Sequence, residues 1–213
     1  MSLPQTHKYF AAQGYVVFDV QYGLNDQDQF LKFASVPDGL SGPFDIDDMV
    51  RHLGIFTTYL ADNHEDFGAD IDSVFVSGGS AGGHLASALA LGSASGEYPD
   101  LIDPRISVQG LIPFYPANDL SRYRNIGGKD ELVDPNQLVD ENSPPVLLFQ
   151  GDRDGFVNPQ VAKNFKQAYL DESNEDFAIL WMPYGAHASD IYFPGHYNQT
   201  FIFYMERFMY QHK

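Results

Sequence analysis

The 213-residue chain carries 29 acidic against 12 basic side chains, a formal net charge of −17, with 44% hydrophobic and 15% aromatic residues. That length suits one domain over residues 1–213, and the composition excludes a disordered chain. The acidity argues against nucleic acid and anionic lipid as partners, and the lack of cysteine excludes disulfides, thiolate nucleophiles and cysteine-held metals.

Along the chain, strand-like runs alternate with helix-like ones, the pattern of a mostly parallel sheet with helices on both faces. Gly14-Tyr15-Val16-Val17-Phe18-Asp19-Val20 reads as a buried strand. Asp45 is placed to cap a helix, Asp48 falls in its first turn, and Ile46, Met49, Val50, Leu53 and Leu60 follow helical spacing. Ser73-Val74-Phe75-Val76-Ser77 predicts a short strand running into glycines, and the alanine- and leucine-rich stretch from Gly83 to Leu91 predicts a helix. Val108 to Phe114 predicts a strand closed by Pro116. Residues 117–144 are polar and turn-rich, and read as a short cap-like excursion above the sheet. Val146 to Phe149 predicts a buried strand, Asn158-Pro159 a capped helix start, Ala178 to Trp181 the last strand, and Phe201, Met205 and Phe208 a closing helix.

Between the strand ending at Ser77 and the helix from Gly83 lies Gly78-Gly79-Ser80-Ala81-Gly82, a Gly-x-Ser-x-Gly pattern. A serine at a tight strand-to-helix turn needs small neighbours, because its backbone is strained and the two elements pack closely. Such a turn lifts the Ser80 hydroxyl above the sheet. It also aims the Ala81 N–H and the positive helix end at any oxyanion formed there. A nucleophilic serine needs a base, and the base an orienting acid; in the fold that carries a Gly-x-Ser-x-Gly turn of this kind, the chain order is serine, acid, histidine. Asp152 and Asp154 both follow the strand at 146–149. Asp154 is the expected acid because it lies in the loop beyond the strand end, and Asp152 is expected to bond the loop backbone. Of the histidines after the acid, His187 in Pro183-Tyr184-Gly185-Ala186-His187 directly follows the final strand, where a loop can return it to Ser80. His84 is expected to pack under the turn, His196 to start a helix or lie in a loop, and His212 to sit in the tail.

Three stretches together resemble the α/β-hydrolase superfamily, above all the carboxylesterases related to hormone-sensitive lipase and the small BD-FAE-like esterases. Gly78 to Ala86 resembles their nucleophile elbow, Ser143 to Asp154 their acid strand and loop, and Tyr184-Gly185-Ala186-His187 their histidine loop. Ala11 to Val17 and Tyr22-Gly23-Leu24 resemble the strand and loop ahead of the elbow. The resemblance implies an α/β-hydrolase fold and a serine esterase or lipase-like activity with Ser80, Asp154 and His187 as triad and Ala81 as oxyanion donor. In that family a strand bearing His-Gly-Gly precedes the segment matching residues 4–14, and its loop supplies a second oxyanion donor. No His-Gly-Gly occurs in the sequence. The chain is therefore expected to be N-terminally truncated relative to the family domain, and to self-associate through an exposed sheet edge.

The expected function is hydrolysis of a small-molecule carboxylic ester through an acyl-enzyme on Ser80, with no cofactor and no metal. The alternatives are a prolyl-oligopeptidase-like peptidase, which shares these three stretches, and a catalytically impaired hydrolase fragment or binding scaffold. No apolar run approaches the roughly 20 residues of a membrane span, and the first residues do not read as a signal peptide. A cytoplasmic protein is the expectation, with native upstream sequence ahead of Met1 allowed for.

Overall fold

Four apolar runs pair side by side as parallel strands, β1 (Val74–Gly79), β2 (Val108–Phe114), β3 (Val146–Gly151) and β4 (Phe177–Met182), in the order β1-β2-β3-β4. The computed structural model describes residues 4–25, 42–120 and 126–213. Among the described residues six α-helices accompany the strands: α1 (Pro4–Ala12), α2 (Ile46–Phe67), α3 (Ala81–Ala94), α4 (Asp130–Val133), α5 (Pro159–Asp171) and α6 (His196–His212). Parallel neighbours need crossovers. α3 supplies the one from β1 to β2, and α5 the one from β3 to β4.

Both sheet faces are covered, which is why β3 is buried at all of its positions instead of alternating. Leu111, Val146 and Leu148 face a core shared with α2, α3 and α5, where Val50, Leu91, Phe165 and Tyr169 are all inaccessible. Ile112, Leu147 and Phe149 face the opposite core, made by Phe10 of α1 and by Phe201, Ile202, Met205 and Phe208 of α6. Local signals fix the helix starts. Asp45 accepts from the Asp48 N–H while the Asp48 carboxylate accepts from the Asp45 N–H, a reciprocal cap on α2. Asn158 accepts from the Gln160 N–H, with Pro159 at the first position of α5.

The strand expected at residues 14–20 is a correction. Tyr15–Val20 has no ladder partner among the described residues, and Val16 and Val17 are 44% and 37% exposed. An apolar, β-branched run favours extended backbone, but a strand also needs a hydrogen-bonding neighbour. This segment is held by side chains instead: Tyr15 against Phe10, and Phe18 against Phe56 and Phe67 of α2. The outer edge of β1 is likewise unpaired among the described residues.

Residues 117–144 form the crossover from β2 to β3. Their described part, including α4 and a 3-10 turn at Pro135–Leu138, packs along α3, with Leu132, Leu138 and Val139 in the first core. Residues 121–125 lie outside the described residues. Among the described residues no helix is long and apolar enough to cross a membrane.

Register brings the carboxyl ends of the strands level. Gly79 pairs with Phe114, Phe114 with Phe149, and Gly151 with Met182. The residues that follow each strand therefore emerge along one edge of the sheet, the edge where open α/β folds carry their sites.

Candidate active site

Ser80 sits between β1 and α3 with φ 56° and ψ −119°. That left-handed, strained backbone costs a non-glycine residue on the order of 1–3 kcal/mol. The neighbouring elements hold it. Its N–H donates to the Phe114 carbonyl at 2.9 Å, and its carbonyl accepts from the His84 and Ala117 N–H groups at 3.0 and 3.3 Å. Close approach makes two glycines obligatory. A Cβ on Gly78 would lie 2.3 Å from the Gly82 oxygen, and one on Gly83 would lie 2.9 Å from the Gly78 oxygen. A Cβ on Gly82 would meet nothing within 4 Å, so strand–helix packing rests on the first glycine of the pattern and on the one just beyond it. Ala81 is the first residue of α3, and its N–H has no acceptor within the helix.

Asp154 lies in the loop after β3 with its carboxyl group inaccessible to solvent. Both oxygens are used. Oδ1 accepts from the Phe156 and Val157 N–H groups, each at 2.9 Å, and Oδ2 meets His187 Nδ1 at 2.7 Å and Gln150 Nε2 at 3.2 Å. Asp154 thus does the backbone bonding expected of Asp152. The Asp152 side chain points to solvent and makes no hydrogen bond among the described residues; only its N–H is engaged, with the Met182 carbonyl. Ordering this loop takes a carboxylate facing inward over the turn, and the residue beside the strand end faces out.

His187 reaches the site on the loop after β4. That loop is tied to the acid loop by Arg153 N–H donating to the Gly185 carbonyl at 3.0 Å, and a Cβ on Gly151 would lie 2.3 Å from the same oxygen. His187 Nε2 lies 3.0 Å from Ser80 Oγ. An ionised carboxylate only accepts, so Nδ1 carries the proton toward Asp154, which leaves Nε2 free to accept from the serine hydroxyl. The ring lies near two aromatics, the buried Tyr115 at 4.5 Å between centroids and the exposed Phe156 at 5.4 Å. Serine, histidine and aspartate from three separate loops therefore form one continuous hydrogen-bonded line. Such a line can take a proton from a nucleophile and stabilise the cation that results.

The other histidines stand apart. His84 is inaccessible, one turn into α3, with Nε2 at 3.1 Å from the Val133 carbonyl, and burial lowers its pKa to about 4. His196 is the exposed first residue of α6, and His212 ends that helix against Phe208. Among the described residues no three carboxylate or imidazole side chains gather into a metal-binding group. Sequence reasoning missed three residues around the line: Gln150, which braces Asp154, and the buried pair Tyr115 and Asp190. Their only sequence signal is position, at or just past the carboxyl ends of strands and in the histidine loop.

The sequence model described as BD-FAE matches residues 1–169. Esterase LipQ of Mycobacterium tuberculosis is 26% identical over 154 residues, which are 62% of this chain and 37% of LipQ. A probable carboxylic ester hydrolase of the same organism, LipM, is 24% identical over 171 residues, 70% of this chain and 39% of LipM. The chain thus spans well under half the length of these curated relatives. Among solved structures, Thermogutta terrifontis esterase 2 phosphorylated by paraoxon aligns with a TM-score of 0.68 at 23% identity, covering 87% of this chain and 75% of that one. The carboxylesterase Cest-2923 from Lactobacillus plantarum WCFS1 aligns with a TM-score of 0.59 at 22% identity, over 66% of this chain and 55% of that one. At such identities the likeness is one of fold, and the fold is that of the α/β hydrolases.

Proposed function

We propose, since the chain belongs to the BD-FAE family, that it is a serine hydrolase of carboxylic esters acting through an acyl-enzyme on Ser80. One observation carries the reading: His187 lies 3.0 Å from Ser80 Oγ through one ring nitrogen and 2.7 Å from Asp154 through the other. As Ser80 Oγ attacks the ester carbonyl, its proton passes to His187 Nε2, and Asp154 holds the imidazolium that forms. The tetrahedral oxyanion lies beside the Ala81 N–H and the α3 N-terminus. Collapse breaks the acyl–oxygen bond, and the alkoxide leaves with the proton from His187. Water then attacks the acyl-Ser80 ester, gives a proton to His187, and releases the acid and the free serine. The names of the relatives support an ester substrate, and the structural neighbour phosphorylated by paraoxon recommends an organophosphorus probe.

The test is reaction with a fluorophosphonate read by intact mass, followed by turnover of short-chain p-nitrophenyl esters against aminoacyl p-nitroanilides. A single adduct absent in Ser80→Ala, with esters preferred over anilides, is the expected result. Full activity in Ser80→Ala would sink the mechanism, and preference for the anilides would turn the reading toward a peptidase.

A further inference from the structure

Tyr115 and Asp190 are 4% and 0% exposed, and the proton path itself uses neither. Tyr115 follows β2 directly with φ 36°, a left-handed backbone that bulky residues seldom adopt. Its N–H donates to the Phe149 carbonyl at 2.7 Å. The ring packs on Gly79, the residue before Ser80, where a Cβ would meet it in van der Waals contact at 3.4 Å. The same ring lies against His187, tilted by 59°. Its hydroxyl donates to Asp190 Oδ1 at 2.8 Å.

Asp190 belongs to the histidine loop, three residues beyond His187. Its second oxygen is buried without a partner among the described residues. Its main-chain carbonyl accepts from the Asn198 side chain at 2.9 Å, and Asn198 in turn reaches Thr6 Oγ1. Burial raises the pKa of both Asp190 and Tyr115, so the phenol remains a donor. A carboxyl group held at zero exposure with one oxygen unpaired is a costly way to fill a core, because a well-packed apolar pair is often as stable or more so. What the pair accomplishes is geometric. It joins the loop carrying His187 to the strand end beside Ser80, through a ring that touches both.

We propose that Tyr115 and Asp190 are positioning residues that fix the His187 imidazole against Ser80, the phenol ring setting the plane of the imidazole and Asp190 locking the ring. The proposal rests on the catalytic reading of Ser80 and His187. Displacement of a reacting group by about 1 Å can cost about 100-fold in rate, so a buried wall behind the imidazole acts on the chemical step and not on substrate binding.

The experiment is the rate of covalent labelling by a fluorescent fluorophosphonate across a range of probe concentrations. It compares wild type, Tyr115→Phe, Asp190→Leu, Asp190→Asn and Ser80→Ala, with folding checked by circular dichroism. Tyr115→Phe keeps the ring and removes only the hydroxyl, so it stands as the readable variant if Asp190→Leu fails to fold. The maximal labelling rate is expected to fall roughly 10- to 100-fold in Tyr115→Phe while the half-saturating concentration stays within about twofold. Asp190→Asn, which still accepts from the phenol, is expected to stay within about threefold of wild type. A folded Tyr115→Phe labelling at the wild-type rate overturns the proposal and leaves the esterase reading standing. An Asp190→Asn as slow as Asp190→Leu overturns the geometric role assigned to Asp190. A wild-type chain that does not label, or a Ser80→Ala that does, overturns the catalytic reading and the proposal with it.

Discussion

His84 and His187 both lie close to the Ser80 turn, one inside α3 and one on the loop after β4, and their surroundings differ in every respect that matters to an imidazole. His84 is wholly buried and faces a main-chain carbonyl, and among the described residues its Nδ1 has no hydrogen-bond partner. His187 keeps 16% of its side chain exposed and has a carboxylate on one nitrogen and a hydroxyl on the other. Burial in the first environment disfavours a proton, while the second places a hydrogen-bonding group at each ring nitrogen. Sequence position alone makes His84 the obvious neighbour of Ser80, four residues away. One turn of helix points it beneath the serine, while His187 arrives from 107 residues further along the chain. The lesson is that a candidate base is picked out by what faces its two nitrogens, not by its distance along the chain from the serine.

The sharpest break in this comparison is removal of each ring in turn. His187→Gln is expected to lower ester turnover by about 10⁴-fold or more, as loss of a triad member does. His84→Ala should leave kcat within about threefold and instead lower stability by roughly 2–3 kcal/mol, from the lost packing and the orphaned Val133 carbonyl. Initial rates with a p-nitrophenyl ester and urea unfolding curves separate the two effects. Equal loss of turnover in the two variants would erase the distinction.

Acid sharpens it next. Burial takes His84 from its ordinary pKa of 6.5 to about 4, so below pH 6.5 the unfolded chain binds a proton that the folded protein declines. The stability due to neutral His84 is complete above that pH and drains away toward pH 4, by roughly 3 kcal/mol in all. Urea midpoints of wild type and His84→Gln should therefore converge between pH 7 and pH 4.5. A constant gap between them would mean that His84 is not the group responsible.

Smaller effects come from the turn between the two histidines. Gly83→Ala forces a methyl toward the Gly78 and Phe114 carbonyls and should cost about 1–3 kcal/mol, whereas Gly82→Ala meets open space and should stay within about 0.5 kcal/mol. Thermal melts of the pair test it, and similar losses in both would contradict the packing seen here. Smallest of all, Ser80→Gly should raise stability by about 1 kcal/mol, the relief of its strained backbone less the entropy of an added glycine. Its urea midpoint would show that gain.

Much of this was legible in the chain. The runs at 74–79, 108–114, 146–151 and 177–182 are apolar and bounded by turns, and Asp45 and Asn158 carry the chemistry of helix caps. Ser80, Asp154 and His187 were legible because each follows a recognisable strand. Tyr15–Val20 misled because an apolar run shows a preference for extended backbone, while pairing depends on a neighbour distant in sequence. Asp154 took on the loop bonding expected of Asp152, besides meeting His187, because only the fold of the loop decides which carboxylate turns inward. The contact between Tyr115 and Asp190 joins residues 75 apart, and no local pattern announces it.

The backbone at Ser80 has one more consequence, for anyone who would improve this protein in the laboratory. A library of variants selected only for survival at high temperature would find relief at φ 56°, and the serine would be among the first residues to be traded for glycine. Under the proposed mechanism, heat resistance and turnover must therefore be selected together, because at this turn each would be gained at the expense of the other.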